Sequence, residues 1–208
     1  MNQNNFLFAS RFSFALLYLF CLNCSKNNTS TTYAPTSPPP PISSCNNCQL
    51  LRYGDGAAGG PSLDAGSYEA AARFTPSIIG NLVGKTIQEV QYYMATKPDS
   101  VRIKIYGPLN DTTPGKLLYS ADVTNASKRW SWNVHKLTEV ITLKNEDIWL
   151  SIEFRQGVKQ QTVGSSYDVG NTDTDGDWLY SSLDGQWMPY LKRFGGMLNW
   201  SMGFNIAL

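Results

Sequence analysis

Apolar and polar residues alternate along most of the chain beyond residue 50. The pattern is clearest at the C-terminus, where one side of the chain carries Trp200, Met202, Phe204, Ile206 and Leu208. A period of two indicates β-strands rather than helices. Similar alternation covers residues 101–105, 130–135 and 148–155, and weaker alternation covers residues 68–74, 87–94 and 117–123. Seven or more short strands, each with one apolar face, predict an all-β fold, an antiparallel β-sandwich.

Residues typical of turns separate these segments. We predict turns at four dipeptides, which are Gly107-Pro108, Pro114-Gly115, Asp175-Gly176 and Asp184-Gly185. One helix of one or two turns is expected in the stretch SIIGNL that follows Pro76. In the strand of residues 130–135, the alternation places His135 opposite the side of Trp130 and Trp132, as an exposed surface histidine.

The N-terminus carries an apolar run, FSFALLYLFCL, over residues 12–22. It is too short to span a bilayer and is typical of the core of a signal peptide. The run ends in LNCSK, which resembles the signal of bacterial lipoproteins and implies that Cys24 becomes the acylated first residue after residues 1–23 are removed. Ser25 then implies sorting to the outer membrane. An ordinary secretory signal and a retained transmembrane helix remain alternatives.

Residues 24–49 separate this signal from the strands. The stretch SKNNTSTTYAPTSPPPPISS, residues 25–44, has almost no large apolar side chains and contains four consecutive prolines. Such a composition cannot offset the entropy of ordering, so we predict a disordered tether and a sandwich domain over residues 50–208. A proline-rich ligand for a partner protein is the alternative. The pair Cys45 and Cys48 could form a disulfide, half a zinc site or a redox centre, and an exported setting favours the disulfide.

The net charge and the motifs of the chain narrow the classes of function that it can have. The chain has 17 basic and 16 acidic residues, a net charge of +1, which gives no basic surface for nucleic acid. His135 is the single histidine, and neither a G-x-S-x-G nor an H-E-x-x-H motif is present to supply a catalytic site. We therefore predict that the protein is not an enzyme. A carboxylate pair acting as a glycosidase stays open, because it needs no local signature.

The order of segments resembles a known module. The stretches that carry the resemblance are SYEAAARFTPSIIGNLVGKTIQEVQYY, VRIKIYG, TPGKLLYSADVT, WSWNVHKL, ITLKNEDIWLSIEF, GDWLYSSLDGQW and LNWSMGFNIAL. Together they are similar to the jelly-roll β-sandwich of cleaved-adhesin type found in secreted bacterial proteases and surface lipoproteins, over residues 50–208. The resemblance implies an extracellular setting and a binding or adhesive role.

The segment NTDTDGDWLYSSLDGQW, residues 171–187, offers candidate ligand groups. Its spacing does not match a helix-loop-helix calcium site, and Asp-Gly pairs are ordinary hairpin residues. A non-standard Ca²⁺ site remains an alternative, and its ligands would be Asp168, Asp173, Asp175 and Asp177. No other cofactor is predicted. Three aromatic residues could stack on a sugar or a partner; they are Trp178, Tyr180 and Trp187. We expect any such site at one end of the sandwich.

These observations favour an exported, outer-membrane, lipid-anchored protein whose sandwich binds carbohydrate or protein without catalysis. Its partners would be the membrane, through the lipid, and an extracellular ligand. The alternatives are a structural or accessory subunit of an envelope complex and a carbohydrate-active hydrolase.

Overall fold

A computed structural model describes residues 43–54, 59–166 and 175–208. Its strands are β1 Cys48–Tyr53, β2 Ser62–Leu63, β3 Gly66–Phe74, β4 Thr86–Met94, β5 Ser100–Asn110, β6 Thr113–Asp122, β7 Ser131–Thr142, β8 Ile148–Gln156, β9 Gln160–Gln161, β10 Ser165–Ser166, β11 Trp178–Ser181, β12 Gln186–Pro189, β13 Asn199–Trp200 and β14 Met202–Ala207. Helix α1 is Pro76–Ile79, extended by a 3-10 turn at Gly80–Leu82, and helix α2 is Tyr190–Phe194. Within these ranges no helix is long and apolar enough to cross a membrane.

Two main sheets form the body of the protein. The smaller has the order β1-β14-β4-β7 and the larger has the order β12-β11-β3-β8-β5-β6. Two short ladders, β10-β13 and β2-β9, flank them. Every named strand pair in the described ranges is antiparallel. The all-β sandwich predicted from the alternation is confirmed.

A single large core lies between the two sheets. The six-stranded sheet contributes alternate residues of β3, β5 and β8, and the four-stranded sheet contributes alternate residues of β4 and β14. The rings of Phe74 and Phe204, one from each sheet, pack with centroids 5.1 Å apart. In β8 the side chains of Leu150 and Ile152 are fully buried in this core. Their neighbours therefore project from the opposite, outer face of the sheet.

The outer face of the four-stranded sheet is covered near β14, where Ser201 and Asn205 are buried although they lie opposite the core. Gly203 shows how closely β1 approaches, because a Cβ at this position would lie 2.4 Å from the carbonyl oxygen of Leu51. A side chain of any other residue would therefore push β1 off the sheet. The alternation predicts this strand correctly, but its second face is buried too.

A buried carboxylate, Glu89 of β4, binds the chain that precedes β1. It accepts hydrogen bonds from Ser43 Oγ at 2.8 Å, from Asn205 Nδ2 at 2.7 Å, from the backbone N–H of Ser44 at 3.2 Å and from the Ser44 hydroxyl. Burial acts to raise the pKa of Glu89, but these hydrogen bonds outweigh it and hold the pKa below its usual value. Residues 43 and 44, predicted to be tether, belong to the folded body.

The first strand also starts earlier than predicted. β1 begins at Cys48 rather than near residue 50 and pairs with β14 from Cys48 opposite Ala207. The structure contains a disulfide between Cys45 and Cys48, whose Cα atoms are 5.6 Å apart. This bond closes the short turn between the Glu89 contacts and β1. The remaining tether and Cys24 lie outside the described residues.

Two of the four predicted turns are wrong. Gly107-Pro108 lies inside β5 and Pro114-Gly115 lies inside β6, where Pro108 is opposite Pro114 and the register shifts on either side. Proline is tolerated there because β6 is an edge strand and the pairing of β5 with β8 has already ended at Tyr106. The turn at Asp184-Gly185 and the helix after Pro76 are present as predicted.

The predicted orientation of β7 is also wrong. His135 lies opposite the core residue Val90, is half-buried, and has its Nε2 atom 2.7 Å from the hydroxyl oxygen of Tyr119 in the other sheet. Burial lowers the pKa of His135. Trp132 instead packs edge-on against Tyr93 on the outer face, and Trp130 precedes the strand with 57% of its surface exposed. Both sides of β7 carry aromatic neighbours, so alternation alone cannot select the inner side.

Replacing Glu89 by glutamine tests the binding of the N-terminal segment. We expect Glu89→Gln to lower the free energy of unfolding by about 1–3 kcal/mol at pH 7, because the charged acceptor of four hydrogen bonds is lost. The folded-state pKa is depressed, so this contribution is present above the unfolded-state pKa and is lost as the pH falls through the folded-state pKa. Urea unfolding at pH 7 and at pH 3 measures both effects.

The matched control is Glu146→Gln, which removes a half-exposed carboxylate paired with Lys144 at 3.5 Å. We expect this change to stay within about 0.5 kcal/mol of the wild type. Equal stability of Glu89→Gln and Glu146→Gln at pH 7 would contradict the assignment.

Candidate functional site

The outer face of the six-stranded sheet combines aromatic and charged side chains, and we name it the aromatic–charged face. Strand register places one side chain from each strand in a single line, the cross-strand row, from Trp187 through Tyr180, Glu69, Glu153 and Arg102 to Asp122. Adjacent strands lie about 4.8 Å apart, so the row is about 24 Å long. It is aromatic at the β12 end and charged at the β6 end.

The aromatic end is built on two buried tryptophans. Trp149 and Trp178 pack edge to face with ring centroids 5.3 Å apart and are 0% and 5% exposed. Trp187 rests on Trp149 at 6.3 Å and on Tyr180 at 5.6 Å. Trp178 therefore has too little free surface to stack on a ligand, contrary to the prediction. Tyr180 and Trp187, which we name the aromatic pair, remain partly exposed.

A charged network occupies the centre of the face. Lys104 Nζ lies 2.9 Å from a carboxylate oxygen of Glu69 and 2.9 Å from one of Glu153. Glu69 is 5% exposed and also accepts hydrogen bonds from Tyr106 at 2.8 Å and from Ser151 at 2.5 Å. Every member of this network has its charge or hydroxyl group paired with another member.

Lys104 and Tyr106 keep their protons at physiological pH. Burial acts to lower the pKa of Lys104, but Glu69 and Glu153 outweigh it and raise the pKa. Burial and the adjacent charge of Glu69 raise the pKa of the Tyr106 phenol. Lys104 is therefore a permanent cation and Tyr106 a permanent hydrogen-bond donor, and neither is poised to exchange a proton near pH 7.

The charged end of the row is open to solvent. Arg102 lies 3.6 Å from Glu153 and 3.9 Å from Asp122, and all three side chains are more than 40% exposed. Here the surface forms a depression of about 220 Å³, which Arg155, Ser67 and Ser100 also line. The depression offers both donors and acceptors of hydrogen bonds.

Asp175, a predicted calcium ligand, has another role in the described structure. Its carboxylate pairs with Arg73 at 3.3 Å, and Arg73 also binds Asp147 at 2.8 Å and Asp111 at 2.9 Å. Burial acts to lower the pKa of Arg73, but these three carboxylates outweigh it and raise the pKa. The guanidinium therefore joins three loops at one end of the sandwich.

Asp177, another predicted calcium ligand, caps a helix. It is 4% exposed, and its Oδ2 atom accepts a hydrogen bond from the backbone N–H of Leu191 at 3.0 Å, in the first turn of α2. Burial raises the pKa of Asp177 to about 6. In the described structure the carboxylates of Asp175 and Asp177 have different partners, Arg73 and the backbone of Leu191.

The calcium prediction depends on residues that lie elsewhere. Asp168 and Asp173 are outside the described residues, so the structure does not place them. Within residues 43–54, 59–166 and 175–208, no group of three or more Asp, Glu, His or Cys side chains could hold a metal ion. The Ca²⁺ site remains a prediction.

Most of the site was missed from sequence. The alternation correctly placed Trp149, Ser151 and Glu153 on the outer side of β8, and this was the available signal. Alternation does not give the cross-strand register. This register places Glu69 and Lys104, which are 35 residues apart in the chain, beside the outer residues of β8. This candidate site lies on the sheet face, and the site expected on the loops at one end of the sandwich stays a prediction.

A comparison with known proteins found no matching family model, no matching curated protein and no matching solved structure. The functional assignment therefore rests on the geometry of the chain itself.

Replacing Asp177 by asparagine tests its role as a buried helix cap. The folded-state pKa is raised, so the wild type gains stability relative to Asp177→Asn as the pH falls from 8 through about 6 toward 4. We expect this relative gain to be on the order of 1–3 kcal/mol. Urea unfolding at several pH values measures it.

The control is Asp64→Asn, because the Asp64 carboxylate is exposed and pairs with Lys159 at 3.1 Å. Its difference from the wild type should stay within about 0.5 kcal/mol at pH 8. If the difference in the free energy of unfolding between the wild type and Asp177→Asn did not change with pH, the interpretation of Asp177 as a buried cap with a raised pKa would be contradicted.

Proposed function

We propose that this protein is an exported, lipid-anchored binding module of the outer membrane. Acyl chains on Cys24 would hold it to the membrane, residues 25–42 would form the tether, and the aromatic–charged face would bind carbohydrate or protein without catalysis. The observation that carries the proposal is the partly exposed aromatic pair, Tyr180 and Trp187, beside open charged residues on one sheet.

The placement of the N-terminal segment supports this use of the face. Ser43 and Ser44 bind Glu89 on the outer side of the four-stranded sheet. The two sheets share one core, so their outer faces point in opposite directions. A chain that enters on the outer side of the four-stranded sheet leaves the aromatic–charged face on the side opposite Ser43 and Ser44.

The rigidity of the face supports binding as well. Trp187 is held against Trp149, and Lys104 is held between Glu69 and Glu153. Binding loses affinity when side chains must be ordered, at roughly 0.5–1.5 kcal/mol for each flexible side chain. Side chains that are already fixed avoid most of this cost.

An enzymatic role has less support. Glu69 and Glu153 are neighbours in one sheet and share the Lys104 ammonium group. Glycosidases instead place two carboxyl groups on either side of the scissile bond, one of them with a raised pKa. A structural or accessory subunit of an envelope complex is the second candidate, because the same face could contact a neighbouring subunit.

Removing the aromatic pair tests the proposal. The full chain, carrying a C-terminal tag, is expressed in its native cells, cross-linked on intact cells and recovered with its bound molecules. We expect the double variant Tyr180→Ala and Trp187→Ala to recover at most one tenth of the wild-type amount of bound molecules, because it lacks the stacking surface.

The control is Trp130→Ala, which removes an exposed tryptophan that precedes β7, in the other sheet. It should recover bound molecules as the wild type does. Undiminished recovery by the double variant would refute a role for the aromatic pair.

Lipid attachment is tested separately. Cells fed an alkyne fatty acid should label the wild-type chain, and Cys24→Ala should abolish the label. Cys21→Ala should keep it, because the resemblance assigns acylation to Cys24 alone. Labelling that persists in Cys24→Ala would show that the anchor lies elsewhere or is absent.

A further inference from the structure

We infer that the ligand of the aromatic–charged face is an uncharged oligosaccharide that lies across the strands, along the cross-strand row. This inference rests on the proposed function and names the chemical class of the ligand. Three observations carry it: the balance of charge on the face, the aromatic pair at one end of the row, and the hydroxyl-lined depression at the other.

The charges along the cross-strand row cancel. Counted together with the outer residues two positions away on each strand, the row has the carboxylates of Glu69, Glu153 and Asp122 and the cations of Lys104, Arg102 and Arg155. A polyanion would meet Glu153 and Asp122 at the open end, and a polycation would meet Arg102 and Arg155. Neither gains a net attraction. A neutral ligand whose groups both donate and accept hydrogen bonds matches this surface.

Sugar hydroxyls are groups of that kind. Along the row, acceptor carboxylates and donor guanidinium groups follow one another from Glu153 to Arg102 to Asp122. Ser67 and Ser100, residues whose hydroxyl groups can both donate and accept, also line the depression. A polyol can satisfy both kinds of partner without introducing a charge.

The aromatic pair provides the apolar part of the contact. The rings of Tyr180 and Trp187 are inclined by 49° with centroids 5.6 Å apart, and Trp149 supports Trp187 from below. The C–H face of a pyranose ring is apolar and packs on such rings, while its edge hydroxyls stay free. One sugar ring therefore fits at this end of the row.

The length of the row determines the size of the ligand. The aromatic pair comes from β11 and β12, whereas the depression extends from β3 across β8 and β5 to β6, with Arg102 of β5 in its lining. With strands about 4.8 Å apart, Trp187 and Arg102 are separated by about 19 Å across four strand gaps. A single sugar cannot reach both ends, so an oligosaccharide is required.

The test uses the full chain purified in detergent and fluorescent glycans of known composition. The probes are neutral hexasaccharides of glucose, mannose and galactose, the three monosaccharides, and a hexasaccharide of uronic acid. We expect at least one neutral hexasaccharide to bind, and its monosaccharide to bind at least tenfold more weakly. Its dissociation constant should change less than twofold between 50 and 500 mM salt.

Variants assign the binding to the row. Trp187→Ala should weaken hexasaccharide binding at least tenfold, Trp187→Phe should retain part of it, and Trp130→Ala should leave it unchanged. Arg102→Gln should weaken it severalfold, because the open end loses the guanidinium group, a hydrogen-bond donor that lies between Glu153 and Asp122. A circular-dichroism melting curve close to that of the wild type establishes that each variant is folded.

Each opposing outcome has a distinct meaning. Salt-dependent binding of the uronic acid hexasaccharide in preference to the neutral ones overturns the inference of an uncharged ligand. A second outcome is that no glycan binds, but the double variant Tyr180→Ala and Trp187→Ala still recovers fewer bound molecules from intact cells than the wild type. The ligand is then not a glycan, and the proposed binding function stands. Where no glycan binds and the double variant keeps its partners, the inference and the proposed function fail together.

Discussion

The pairing of β3 with β8 is the interaction on which the rest of the structure depends. The two strands pair in unbroken register from Gly66 opposite Gln156 to Phe74 opposite Ile148, at the middle of the six-stranded sheet. Alternate residues of the pair supply the core, and the residues between them supply the outer face. A shift of one residue would exchange these two sets. The hydrophobic core therefore fixes the position of Glu69 opposite Glu153, and the position of the candidate site with it.

The charged network at the centre of the face specifies the arrangement of the strands more than it stabilises the fold. Glu69 is buried, and the desolvation of Glu69 and Lys104 offsets much of their attraction. Three side chains from three strands, Glu69, Lys104 and Ser151, meet in hydrogen bonds that only the native register provides. The network selects one arrangement of the strands and keeps the adjacent ring of Tyr106 in place. A surface whose side chains already contact one another suits recognition, because binding of a ligand has to order few of them.

Alternation predicted the strands well and the site poorly, for one physical reason. A period of two shows that two sides exist but does not say which side is inner when both bear large side chains. In β7 the ring of Trp132 packs on Tyr93, under the guanidinium of Arg52 at 4.8 Å, so the apolar side faces outward and His135 faces inward. In β5 and β6 the Gly-Pro pairs form irregular pairings within strands, not turns. The face itself depends on register between distant segments, which local sequence does not encode.

The two outer faces of the sandwich differ because the N-terminal segment binds to one of them. The four-stranded sheet binds residues 43 and 44 through Glu89 and carries β1 closed by the Cys45–Cys48 disulfide. Its outer face is thereby partly covered by the chain's own N-terminal segment. The six-stranded sheet leaves Tyr180, Trp187 and Arg102 accessible. Under the proposed function, attachment and recognition would use opposite faces of the sandwich, so a ligand and an anchor would not compete for the same surface.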